Sequence, residues 1–208
     1  MLFQDRVQAA ELLGSKLASY RGQHPLVLGI PRGGVVLAAR IAEQLEGDVD
    51  VVLTHKLGAP GNPECAIGAI DENGQVFLND ALWQRELPAY LKREAADQLA
   101  ELRRRRQLFS AGRAAHDPTG RIVIVTDDGL ATGATMLAAL QVLRPRKPTR
   151  LIVAVPVAPP DTLEKVTALA NETVCLTAPE WFRAVGQFYH DFKQVADDEV
   201  VQLLRGKA

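Results

Sequence analysis

Apolar residues recur at helical spacing over Asp5 to Tyr20, at Val7, Ala10, Leu13, Leu17 and Tyr20. The pattern then changes to short, continuous apolar runs. "PLVLGI" predicts a buried strand, "RGGVVLAARIAEQLEG" a glycine turn entering a helix, and "DVDVVLTHKL" a second strand. Strand, helix and strand in that order predict a right-handed crossover and a parallel pair. The next stretch, Leu57 to Ala66, is rich in Gly and Pro and predicts a flexible loop. "CAIGAI" and "QVFLN" flank Asn73-Gly74, a hairpin signal, so an antiparallel excursion is expected over about 66–79. A long helix follows in "LPAYLKREAADQLAELRRRRQLF", with Leu91, Ala95, Leu99, Leu102 and Phe109 along one side. "RIVIVT", "TRLIVAVPVA" and "ETVCLTA" read as fully buried strands, separated by helices in "ATMLAALQVLR" and "DTLEKVTALA". The tail from Pro179 carries a dense aromatic segment and then a helical pattern from Val200 to Leu204. The sum is one α/β domain: an open, mostly parallel sheet with helices on both faces and ligand expected beyond the carboxyl ends of its strands.

Composition narrows the partners. The 208 residues suffice for one substantial core, and 47% hydrophobic with 24% charged residues is ordinary for a globular chain. A formal net charge of −1 supplies no global positive field for nucleic acid, so any anion site must be local. No apolar run is long enough to span a bilayer, and the amino end lacks the pattern of a secretory signal. Cys65 and Cys175 lie far apart without a CxxC pattern. A cytoplasmic chain with reduced thiols is the expectation.

The chemistry concentrates in "VIVTDDGLATGATM", residues 123 to 136. An apolar strand ends in two adjacent carboxylates, Asp127 and Asp128, and a loop of small residues opens the next helix. Amides at a helix start lack partners and, with the helix dipole, cradle an anion. Glycine lets a phosphate approach the backbone. Ala131, Thr132, Gly133, Ala134 and Thr135 therefore predict a phosphate site. Two carboxylates cannot bind that phosphate; they suit the hydroxyls of a sugar, or Mg²⁺. A sugar phosphate with a free diol satisfies both halves. Neither a Walker loop nor a GxGxxG pattern is present.

This stretch resembles the phosphoribosyl-pyrophosphate signature of the type I phosphoribosyltransferases, and the order of strands and helices fits that fold over nearly the whole chain. The resemblance implies that Asp127 and Asp128 contact the ribose hydroxyls, that Ala131 to Thr135 hold the 5-phosphate, and that Mg²⁺ serves as cofactor. A pyrophosphate needs a second anion site. "GIPRGGVVLA" offers Pro31, Arg32, Gly33 and Gly34 between a strand and a helix start, with a guanidinium suited to phosphate. It looks like the family's pyrophosphate loop. Lys56 carries over as a further pyrophosphate contact, whereas His55 reads as structural. Leu57 to Ala66 resembles the family's flexible loop, and closure there would exclude water.

The implied reaction moves the 5-phosphoribosyl group from phosphoribosyl pyrophosphate to a free nitrogenous base. Ala131 stands where hypoxanthine and guanine enzymes often carry Asp, so the obvious general base is missing, and Glu64 is the candidate replacement. Adenine-type enzymes share the Ala, which with the aromatic tail favours a purine. The acceptor is expected under a small hood built from the chain ends, including about 179–208. There "PEWFRAVGQFYHDF" concentrates aromatic rings, with Phe182 and Trp181 as base-stacking candidates. His190 and Asp191 are polar candidates beside them. Arg103 to Arg106 read as a solvated face or a subunit contact. The resemblance also allows a homodimer. Two other readings follow from the same residues: a phosphoribosyl-pyrophosphate-binding regulator without transferase activity, and a sugar-phosphate hydrolase, for which further metal ligands are missing.

Overall fold

The computed structural model describes residues 2–59, 62–78, 89–110 and 113–206, the side chains of 59 and 62–66 excepted. Five strands form a parallel sheet: β1 (Leu26–Gly29), β2 (Asp48–Val51), β6 (Ile122–Thr126), β7 (Arg150–Val157) and β8 (Glu172–Thr177). Their order is β2-β1-β6-β7-β8. Alternate residues of the strands feed two cores, as a sheet covered on both faces requires. Val27, Ile124, Ile152 and Ala154 face α1 (Arg6–Lys16) and α2 (Gly33–Leu45). Leu28, Val123, Val125, Val153 and Val155 face α4 (Ala134–Leu143) and α5 (Pro160–Thr167). The open parallel α/β architecture expected from the sequence is the one observed.

A second, antiparallel sheet has the order β3-β4-β5, from β3 (Thr54–Ala59), β4 (Asn62–Asp71) and β5 (Val76–Leu78). Here the structure departs from the sequence reading twice. The run "DVDVVLTHKL" is not one strand. Val51, Val52 and Leu53 are buried at a corner, and β3 leaves the parallel sheet to pair with β4. Leu57 to Ala66, expected as a loop, is instead largely strand. The physical reason is burial. Leu57, Ile67 and Ile70 reach the main core and Ala69 packs against α4, so composition rich in Gly is overridden by packing.

The long helix α3 (Ala89–Ser110) buries Leu91, Ala95, Leu102 and Phe109 and leaves Leu99 partly covered, as its periodicity predicts. Its arginine run meets the expectation of a solvated face at Arg103, Arg104 and Arg105, which are exposed, but not at Arg106. Arg104 and Arg105 bind Glu101 at the surface. Arg106 turns inward instead, donating to Glu72 at 2.7 Å, Asp50 at 2.7 Å and the Val51 carbonyl at 3.0 Å. It locks the second sheet and the end of β2 to the long helix. The last helix, α6 (Asp197–Leu204), packs on α2 and α3. No helix among the described residues is long and apolar enough to cross a membrane.

The chain ends meet. Phe3 N–H donates to Phe188 O at 2.8 Å, His190 N–H to Phe3 O at 2.9 Å and Asp191 N–H to Gln4 O at 2.9 Å. Phe3, Phe188 and Tyr189 bury together against Val157, with Phe182 and Val185 at the margin. This small apolar cap stands over the carboxyl end of the sheet.

Candidate active site

Strand order reverses between β1 and β6, where one connection runs to each side and leaves a crevice. Gly29 is in register with Thr126, so the turns following the two strands lie side by side. Gly33 and Gly34 bring them into contact. A Cβ on Gly34 would stand 2.6 Å from Thr126 O and 3.0 Å from Asp127 Cα. A Cβ on Gly33 would overlap the Asp128 carboxylate and lie 3.0 Å from Arg6 Nε. Only glycines permit this approach. The structure thus brings residues 31–34 and 127–128 together at one crevice. The Pro31–Arg32 peptide bond is cis.

The small-residue loop lies just beyond the two acids. Gly133 caps α4 in the left-handed region, at φ 71°. Leu137 N–H is bonded to Gly133 O at 2.8 Å, so the amides of the preceding turn come before the first helical donor. Ala131, Thr132 and Thr135 are exposed. From below, Thr162 of α5 supports the loop, its hydroxyl donating to Ala131 O at 2.8 Å. Thr162 is buried, and its methyl would meet a Cβ on Gly133.

Electrostatics single out the acids. Burial, and next the charge of Asp128, push the Asp127 carboxyl well above the usual carboxylate range. Asp128 is also raised by burial, against the pull of Arg6. Arg6 Nε and Nη2 both reach Asp128 Oδ2 at 2.8 Å. Tyr189 donates its hydroxyl to the Asp128 carbonyl at 2.6 Å, and the Asp128 amide donates to Asp127 Oδ1 at 2.9 Å. Burial raises the Tyr189 phenol, which therefore stays a donor. Among the described residues no group of three His, Cys, Asp or Glu side chains could hold a metal alone. The donor set fits a Mg²⁺ shared with a substrate, since that ion takes one or two protein carboxylates and completes its shell with water and phosphate oxygens.

The other predicted residues are placed as follows. Arg32 lies 3.7 Å from Asp197 of α6, with its side chain 40% exposed, rather than on the acids. Lys56 sits in β3 opposite Ala69, not at the end of a parallel strand. Beside it, burial lowers the His55 imidazole. Glu64 belongs to β4, and its side chain lies outside the described residues. Phe182 stacks on Phe188 at 5.4 Å between ring centroids, whereas Trp181 is 89% exposed. Asp191 pairs with Lys193 at 2.7 Å. Sequence reading passes over Arg6, Tyr189 and Thr162. Arg6 reads as a polar position of an amphipathic helix, and its contact with Asp128 spans 122 positions. Tyr189 at least stands in the aromatic tail, whereas nothing in the sequence around Thr162 marks it.

Known proteins resemble this chain along nearly its whole length. Residues 5–193 match the family model described as "Phosphoribosyl transferase domain". The chain is 44% identical, over 98% of its length, to two proteins of Mycobacterium tuberculosis, strains CDC 1551 and H37Rv, provisionally named phosphoribosyl transferases MT0597 and Rv0571c. It spans about half the length of these curated relatives, 46%. The crystal structure of TT1426 from Thermus thermophilus superposes with a TM-score of 0.92 at 46% identity, covering 98% of both chains.

Proposed function

This chain belongs to the phosphoribosyl transferase domain family, and on that premise we propose that it transfers the 5-phosphoribosyl group of phosphoribosyl pyrophosphate to a free nitrogenous base, a purine, releasing pyrophosphate. One observation carries the reading: two glycine-bearing turns, each at a helix start, meet at a pair of acids in the crevice between β1 and β6. Two anion cradles flanking a diol grip match a donor with a phosphate at one end and a pyrophosphate at the other.

In this reading the amides of residues 131–135 hold the 5-phosphate. Asp127 and Asp128 accept from the ribose hydroxyls, and Pro31 to Gly34 receive the pyrophosphate, with Lys56 as a further cation. Substitution occurs at the anomeric carbon. The bond to pyrophosphate breaks, the ring gains oxocarbenium-like charge, and a base nitrogen forms the new bond and loses its proton. Asp127 and Asp128, with oxygens of the donor, would hold a Mg²⁺ ion, which when bound would neutralise charge on the departing pyrophosphate. The protein's own contribution is positioning; correct placement of two reactants is worth several kcal/mol, up to about 7–11 kcal/mol. Ala131 cannot take the base's proton. Glu64 is the carboxylate proposed for that task, and Phe182 and Trp181 are the rings proposed to face the base.

The test is a screen of free purines and pyrimidines with phosphoribosyl pyrophosphate and Mg²⁺, reading pyrophosphate release. Release with a purine supports the reading. Tight donor binding with no reacting base would replace it with a phosphoribosyl-pyrophosphate-binding regulator.

A further inference from the structure

Asp128 is held from three sides. Its side chain lies under Arg6, its carbonyl accepts from Tyr189, and its amide is bonded to Asp127. Two of those three groups come from the chain-end cap rather than from the sheet. Arg6 opens α1, where Asp5 accepts the Gln8 amide at 2.8 Å and so sets the direction of the first turn. Its guanidinium lies 4.0 Å from the centroid of the Phe192 ring. Its Nη1 donates to Lys193 O at 2.8 Å. The side chain is only 11% exposed, so this is a packed arm and not a loose surface cation. Both Arg6 nitrogens that reach the Asp128 carboxylate end on the same oxygen, Oδ2. The pyrophosphate-loop arginine, by contrast, lies beside α6.

We propose that Arg6 is a positioning residue of the donor site: by clasping Oδ2 of Asp128 it leaves Oδ1 as the oxygen that grips the ribose hydroxyls, and it ties that grip to the chain-end cap. The inference rests on the functional reading above and goes beyond it, since it makes the cap part of donor recognition and not only a cover for the base. A planar guanidinium stacked on an aromatic ring suits this task because both its plane and its reach are set by packing. Lysine would keep the charge and lose the geometry.

Three probes separate the roles. Phosphoribosyl pyrophosphate carries diol, phosphate and pyrophosphate. Ribose 5-phosphate lacks the pyrophosphate, and inorganic pyrophosphate lacks the diol. Calorimetry at one Mg²⁺ concentration should give R6Q a loss of about tenfold or more for the two ribose ligands, with pyrophosphate affinity within about twofold of wild type. R6K should recover part of the loss. The double variant R6Q/D128N should bind no worse than D128N, because the two residues act as one unit. Should R6Q fail to fold, R6K and Y189F carry the same comparison. Loss greatest for inorganic pyrophosphate, equal loss for all three probes, or additive losses in the double variant would each overturn the proposal. A wild-type protein that binds none of the probes would instead overturn the functional reading underneath.

Discussion

Gly34→Ala isolates the contact on which the crevice depends. Gly34 lies in the first turn of α2, where helix propensity alone would make Ala the better residue by about 1 kcal/mol. The structure reverses that sign. The added Cβ would stand 2.6 Å from Thr126 O and 3.0 Å from Asp127 Cα, both backbone atoms at the end of a central strand. Ordinary carbon contacts lie near 3.5–4.0 Å, so the two turns must separate by about 1 Å. Overpacking of this kind costs about 1–3 kcal/mol, which for a chain of this size lowers Tm by about 2–12 °C. A domain with about 5–15 kcal/mol in hand stays folded at 25 °C. Activity should suffer more, because a 1 Å misplacement can cost about a hundredfold in rate, equivalent to about 2.7 kcal/mol of the barrier. The assay is pyrophosphate release at limiting donor, alongside a thermal melt. Gly47→Ala is the comparison: its Cβ would overlap the Pro25 carbonyl, ahead of β1 and β2 and away from the acids. It should lose a similar Tm while donor turnover per folded molecule holds. An unchanged Tm in Gly34→Ala would show that the turns do not touch as described. A lowered Tm with unchanged turnover would show that they do not form one site.

Other expectations follow from particular contacts. Arg106→Met leaves Asp50 and Glu72 without their cation and should cost about 3–5 kcal/mol at pH 7 by urea titration. Burial already raises the Glu72 carboxyl despite Arg106, so the native state holds that proton more tightly than the unfolded chain and stability falls as pH rises above the ordinary glutamate range. Removing Arg106 exaggerates this, and the deficit should shrink on lowering the pH to about 5; a constant deficit would refute the burial argument. Asp127→Asn keeps an acceptor for the Asp128 amide while relieving a desolvated charge beside another carboxylate. It should melt no lower than wild type yet abolish donor binding, and unchanged binding would count against the diol grip. Thr162→Val removes the donor to Ala131 O and should raise the donor KM about fivefold, near 1 kcal/mol, with kcat little changed.

The periodicity of apolar residues determined the layers. Strands that are apolar at every position must be covered on both faces, and that alone implied helices above and below a parallel sheet. The two glycine-bearing turns and the acid pair were legible for a similar reason, because their chemistry is local: a strand end, small residues and a helix start are contiguous in sequence. What only the tertiary structure decided is whatever depends on distant segments. Burial of Leu57 and the pairing of β3 with β4 turned an expected loop into strands. The partner acids of Arg106 come from two other elements, so a run of four arginines gave no hint that one of them points inward. Arg6 meets Asp128 only because Phe3 and Gln4 pair with residues 188–191, closing the chain ends over the sheet. Local order follows from each residue's neighbours in the chain, whereas an ion pair 122 positions apart exists only once the core has brought both ends to the same edge.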